Sequence, residues 1–366
     1  PIALSMGGAS QAYDNGTAGM MNNVATLQLG ENGTRADVAL GILGPKVSAA
    51  GDKSGGTSYV MPAVGWFKKN DQLTWGIGMF GQGGMGTEFG ADASVMTNMR
   101  SELGVGRVIF PIAYRVSPQL SVGASLDYSW ASMDMQMTTN RAGLNAMMDA
   151  AVAGSSAGLN GMGNPSYGRL DFSNSSDFSG AAKSSGWTGK FGLGFEPTPD
   201  LTLGLSYQMK TRLADMTTSA SGAHFSIYDS NFARIGNTMD GKLTIHDFQM
   251  PSVASLGAAF KPNSATTLVM DVKRIGWASV MKQFKMTFDA GQPLQFAMQQ
   301  DWKDQTVVSL GGAYQMNDAL VLRAGYSHST NPVPDATVHP LFPAIVKNHY
   351  TAGFGYQIDK NMSLNA

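Results

Sequence analysis

Eight charged side chains stand one residue out of step with apolar runs: Arg107, Arg115, Asp127, Lys190, Lys210, Asp271, Lys273 and Arg323. Successive residues of a strand face opposite sides. These charges are therefore expected on one side of a wall whose other side is apolar. A cation so placed could bind a carboxylate through a charge-assisted hydrogen bond, arginine through a two-pronged fork. Arg107, Lys190, Lys210, Lys273 and Arg323 are the ligand-binding candidates, and the competing reading is that the charges pair among themselves and stiffen the interior. Other motifs carry less. Gly76, Gly78 and Gly81 fit GxGxxG, yet QGGMG cannot open the helix that a pyrophosphate site requires. Ser279 and Lys282 spell SxxK without a companion motif, and the five histidines His224, His246, His328, His339 and His349 lack metal-ligand spacing. No catalytic residue, metal ligand or cofactor is assigned.

The elements that must position those charges alternate at single-residue resolution. Leu120, Val122, Ala124, Leu126, Tyr128 and Trp130 oppose Ser121, Gly123, Ser125, Asp127 and Ser129. Leu201 to Met209 and Leu320 to Tyr326 behave alike. Tight turns stand at Lys69, Ser117, Thr198, Lys261, Met316 and Ile358, while every other connection is long and rich in Gly, Ser, Asn and Met. Long strands joined alternately by short turns and large loops predict an all-β transmembrane antiparallel barrel, turns in the periplasm and loops outside. A soluble sandwich also alternates, but its strands average about five or six residues.

We read strands at Ala36–Val47, Tyr59–Phe67, Leu73–Gly81, Leu103–Val116, Leu120–Met137, Trp187–Phe195, Leu201–Met216, Lys242–Phe260 bulged at Pro251, Thr266–Phe288 bulged near Gly276, Thr306–Gln315, Leu320–His328 and His349–Ile358. Met362 opens another. The predicted loops are Ser48–Ser58, Gln82–Ser101, Thr138–Gly186, Thr217–Gly241, Asp289–Gln305 and Ser329–Asn348. Within the largest, 138–186, Leu144, Met147, Met148, Ala151 and Val152 have helical spacing, either a greasy lid for an incoming ligand or a self-packed cover. Met21, Met85, Met147, Met148 and Met162 could serve adaptable apolar capture or reflect composition alone.

Composition agrees. The 366 residues have mean hydropathy −0.10 and no run of about 18 apolar residues for a transmembrane helix. Only alternate barrel residues meet lipid. Net charge is −1, giving no reason to expect nucleic acid, and the chain contains no cysteine. Pro1 reads as a point inside a mature chain, with no signal peptide visible.

Residues 1–35 form a first region, too long for a turn and without alternation; residues 36–366 form the barrel. A segment ahead of the first strand must hang in the periplasm or fold back as a plug. Ala9–Asn23 suits short helical turns capped by Asp14 or Asn15. LSMGGASQAYDNGTAGMMNNVATL resembles the N-terminal hatch of the FadL long-chain fatty-acid transporter family, which includes aromatic-hydrocarbon channels. IAYRVSPQLSVGASLDY, LTLGLSYQMK and VVSLGGAYQMNDALVLRAGYSHSTNPVPD follow its strand and turn phrasing. The resemblance marks Asp14, Asn23, Val24 and Ala25 as hatch residues, with Val24 where the family carries proline. It implies a barrel of about fourteen strands, capture of hydrophobic ligands among the loops, and sideways release where the third strand kinks. Here that region is Leu73–Gly90, with Gly76, Gly78, Gly81, Gly83, Gly84 and Gly86 as the lateral opening; a flexible loop start is the bland alternative.

The expectation is passive uptake of long-chain fatty acids or hydrocarbons across the bacterial outer membrane, by a monomer surrounded by lipid. A surface-interaction barrel and a polar-solute porin are the rivals. Twelve strands end at IDKN, and single-chain barrels have even strand numbers, so Met362–Ala366 reads as the start of a last hairpin that is missing from the sequence.

Overall fold

The computed structural model describes residues 1–91, 97–176 and 179–366, apart from the Met85 side chain. Residues 92–96 and 177–178, in two of the predicted loops, lie outside the described residues.

The alternating segments form an antiparallel wall: β1 Gly33–Leu43, β2 Tyr59–Lys69, β3 Leu73–Phe89, β4 Met99–Arg115, β5 Leu120–Asn140, β6 Ala182–Thr198, β7 Leu201–Gln208, β8 Val253–Asn263, β9 Thr266–Ile275, β10 Gln305–Gln315, β11 Leu320–Ser329, β12 Asn348–Asp359 and β13 Met362–Asn365. Each wall strand pairs with the next in sequence order. β12 pairs with β11 and β13, not with β1. Outward positions such as Leu40, Ile77, Ile112, Leu126, Phe191, Leu205 and Leu268 are exposed, while Ser121, Asp127, Ser129, Lys190 and Ser206 are buried inside. That polarity is inverted relative to a soluble protein, as lipid demands. Trp66–Trp75 and Tyr128–Trp187 are edge-on ring pairs at centroid distances of 5.2 Å on the outer surface.

Two predicted long strands are each two elements. Lys242–Phe260 divides into Arg234–His246 and β8, because Pro251 lacks an amide for the ladder and the chain turns at Asp247, φ 48°. Thr266–Phe288 divides into β9 and Gln283–Asp289, with a 3-10 turn at Trp277–Ser279 after Gly276. Leu201–Met216 likewise stops at Gln208, leaving only the short pieces Arg212–Leu213 and Met216–Thr217.

Above the wall the predicted loops contain a second layer. From the top of β5, pairing continues through Tyr167–Phe172, Ala223–Tyr228, Arg234–His246, Gln283–Asp289 and Pro293–Gln299. The helix Arg141–Ala151 is capped by Asn140, whose Oδ1 accepts from Gly143 N at 2.9 Å, and buries Leu144 and Met148. It is shorter than the Ala142–Leu159 stretch suggested, ending where Val152 turns extended.

Candidate functional site

Residues 1–32 lie within the curl of the wall. Their composition explains their form: too many Gly and Asn for strand or long helix, they make a short helix Ile2–Ser5 and 3-10 turns at Gly16–Met20 and Val24–Gln28. Asp14 Oδ1 accepts from Gly16 N at 2.7 Å. Asn23 caps the second 3-10 turn through Ala25 N at 3.1 Å, while its Nδ2 donates to Gln11 O at 2.8 Å and Leu193 O at 3.0 Å. Asn23, Val24 and Ala25 are wholly buried. Val24 occupies the first helical position, whose amide lacks an intrahelical partner, so proline would fit equally well there.

The wall is cut to receive this segment. A side chain at Gly123 would meet Val24 and Ala25; at Gly204, the Gln11 carbonyl; at Gly311 and Gly325, Met6; at Gly353, Ser5. Inward glycines on β5, β7, β10, β11 and β12 thus provide the room. Polar wall groups then satisfy the plug's irregular main chain, which the lumen would otherwise leave unpaired. Ser10 N donates to Asp271 at 2.6 Å, Thr17 N to Asp37 at 2.7 Å, and Gly7 N to Thr351 Oγ1 at 2.9 Å. Gln28 Nε2 donates to Ala113 O at 3.0 Å, and Arg115 donates to Gln28 O at 2.6 Å.

The five lumen cations now separate. Lys190 donates to the carbonyls of Met20, at 3.0 Å, and Met21. Lys273 donates to Gly8 O at 2.7 Å, with Asp271 4.0 Å away. Arg107, 1% exposed, pairs with Asp127 at 3.3 Å, and Ser125 donates to the same carboxylate at 2.6 Å. Arg323 is half-buried beside Gly355. Lys210 is a correction: it is exposed, because β7 ends at Gln208 and the alternation that put Lys210 inside ends with it. Three of the five are committed to hatch or wall. The contributions of Asp271 and Arg115 as plug anchors were not singled out in sequence; inward alternation was their only signal.

The candidate glycines of the third strand lie beside a discontinuity. β2 and β3 pair from Lys69↔Thr74 to Ala63↔Phe80 and no further, while β3 stays paired with β4 to Phe89, its register shifting between Gly81 and Gly83. The extra residue there is Gln82, a bulge that turns β3 away from β2. Gly76 and Gly78 lie below the break, where side chains would strike Phe67 and Phe80. Gly81, Gly83, Gly84 and Gly86 lie along it. Inside, Phe80 packs with Met20, Val24, Leu27, Phe67 and Ile109. Above, Phe89, Met99, Met133, Met135, Phe172, Phe225, Phe288 and Phe296 belong to a larger apolar cluster, with Met147, Met148 and Met162 packed into it. An apolar layer under the loops is thereby stacked over an apolar plug surface, with the wall break alongside. A cavity of about 160 Å³ lies at the upper part of the break, lined by Gly55–Tyr59, Thr87, Glu88 and Arg100–Glu102.

A family model described as outer membrane protein transport protein (OMPP1/FadL/TodX) matches residues 4–366. The structure resembles the Ralstonia pickettii toluene transporter TbuX with a TM-score of 0.84 at 27% identity, covering 100% of this chain and 91% of that one. For the Pseudomonas putida toluene transporter TodX the values are 0.85 and 28%, with 99% and 90% covered. A Pseudomonas aeruginosa FadL homologue shares the fold at 0.71 and 16% identity, with 99% and 87% covered. No curated protein matches the chain. Its place is the bacterial outer membrane. A strand wall facing lipid, a plug sealed into inward glycines and a family model spanning residues 4–366 lead to one assignment: this chain belongs to the outer membrane protein transport family OMPP1/FadL/TodX.

Proposed function

We propose that the protein carries small hydrophobic molecules, monoaromatic hydrocarbons foremost, passively across the outer membrane and releases them sideways through the break between β2 and β3. It acts as a monomer in outer-membrane lipid, and residues 1–32 are the plug that closes the direct path. The observation that carries this reading is the adjacency of the Met- and Phe-rich layer, the Phe80 cluster and the unpaired edge of β3 beyond Phe80. The toluene transporters at 27% and 28% identity support the substrate class.

Hydrocarbons are favoured over fatty acids by the state of the cations. At three of the five candidates a carboxylate would have to displace an existing partner: Asp127 from Arg107, or hatch carbonyls from Lys190 and Lys273. A neutral ring needs no such exchange. An aromatic ring buries roughly 150–250 Å², which at ~25 cal/mol per Å² gives about 4–6 kcal/mol. That corresponds to about millimolar to tens-of-micromolar binding, strong enough to enter and weak enough to leave.

Cells expressing the protein are expected to take up labelled toluene faster than cells lacking it, with decanoate slower and glucose unchanged. Equal acceleration of glucose would establish the porin reading instead.

A further inference from the structure

The break between β2 and β3 is closed at its outer end. Beyond Phe80 no β2 residue pairs with β3, yet Gly55 N donates to Glu88 O at 2.7 Å, and Glu88 N donates to Ser54 Oγ at 2.9 Å. Gly55 meets Glu88 in the register that the Ala63↔Phe80 ladder would have reached had it run on unbroken. The wall therefore has a slit with two rims. From Gly81 to Thr87 it is roughly 23 Å long at about 3.3 Å per residue. Its lower rim is a strand pair; its upper rim is a single crossing of the first loop.

The Tyr59 side chain narrows the slit beside the cavity at its upper end. The Tyr59 hydroxyl takes the space that a side chain at Gly56 or Gly86 would need, and the Gly81 backbone stays close to Pro62. Ser54 Oγ also accepts from Gly56 N at 3.2 Å, so one hydroxyl organises the crossing. Among the described residues, two hydrogen bonds to the Glu88 main chain and the Tyr59 phenol span the slit, while β3 and β4 are joined by a ladder running to Phe89. They can part without dismantling a strand.

We propose that residues 54–59 are a strap that gates the lateral route: hydrophobic cargo leaves when Ser54 and Gly55 release Glu88 and Tyr59 swings out of the slit. This rests on the uptake reading above and adds its rate-controlling element. Polar main-chain contacts keep the slit shut against lipid between passages, because an open edge would leave unpaired backbone groups in hydrocarbon.

The chain has no cysteine, so a disulfide can be introduced cleanly. Gly55→Cys with Glu88→Cys, each single variant, and Ser54→Ala are assayed for labelled toluene uptake in whole cells, oxidised and then reduced. Oxidation of the double variant is expected to lower uptake about tenfold, with recovery on reduction, while the single variants do not respond. Ser54→Ala, which removes the acceptor for Glu88 N, is expected to raise uptake severalfold. Uptake by the oxidised double variant equal to its reduced form overturns the strap, as does failure of the disulfide to form. If the double variant is inactive in both states, Ser54→Ala decides: no gain overturns the proposal. Absence of toluene uptake by the unaltered protein instead sinks the transport reading, a result distinguishable from all of these.

Discussion

Lys190 shows what a buried cation is for in this lumen: it completes the hydrogen bonding of Met20 and Met21 in a segment without its own ladder. Leaving buried carbonyls unpaired costs about 1–3 kcal/mol, so Lys190→Met is expected to loosen the plug. Faster amide exchange across residues 16–28 at unchanged barrel exchange is the readout, and unchanged plug exchange would remove Lys190 from this role. Arg107 and Asp127 carry a larger stake, since removing one member of a buried ion pair costs about 3–5 kcal/mol. Asp127→Leu should lower the melting temperature markedly, and adding Arg107→Met should recover much of it; additive losses would show that the pair is not coupled. Alternation was enough to place Arg107, Lys190 and Lys273 inside. It could not reveal that two of them reach main chain more than 160 residues away, and it failed at Lys210 because parity holds only while a strand continues.

Elements follow the same logic of local signal and distant cause. Most predicted strand limits fall within a few residues of the observed ones, since alternation between lipid and lumen is written into every wall strand. Pro251 and Gly276 were legible as interruptions but not as exits from the wall, because the partner strands above them lie in segments that Gly and Ser made look like loops. YGRLDF and AHFSIY do alternate, with Leu170, Phe172, Phe225 and Ile227 buried; their shortness hid them. In β3, the glycines differ in what they tolerate. A side chain at Gly83 meets nothing within 4 Å, whereas one at Gly84 would stand 2.7 Å from the Leu103 carbonyl. Gly83→Val should therefore assemble normally and slow toluene uptake, while Gly84→Val should impair assembly; normal uptake by Gly83→Val would place the exit elsewhere. The loop between β11 and β12 is expected to respond to acid. Burial holds the His339 imidazole below its ordinary 6.5, and its Nδ1 accepts from Leu341 N at 3.2 Å. The unfolded loop thus binds the proton more readily, so this loop's stability is present above 6.5 and falls as pH drops below it. Amide protection factors at His339, Leu341 and Phe342, corrected for the intrinsic pH dependence of exchange, should fall between about pH 7.5 and about pH 5.5, and His339→Gln should flatten that change; pH-independent protection in the native loop would contradict the assignment.

At the scale of the whole molecule, plug and slit are one device. Inward glycines let residues 1–32 fill the lumen, and beside them the wall strands β2 and β3 part company beyond Phe80. The wall-and-hatch architecture was legible from turn spacing and resemblance, but the strands that extend the sheet above it and the strap across β3 depend on contacts between distant loops, which alternation does not encode. The central claim concerns the path itself, and photolabelling with an alkylbenzene diazirine in native outer membranes reads that path directly. Adducts should collect on the Met and Phe layer, on Phe80, and on both sides of the slit from Tyr59 to Pro62 and Gly81 to Thr87, leaving Leu29 unmarked, the plug residue next to Gln28, which donates to Gln72 O in the short turn between β2 and β3. Adducts that bypass the slit and run down the lumen to Leu29 would contradict lateral release and show that the hydrocarbon passes through the plug.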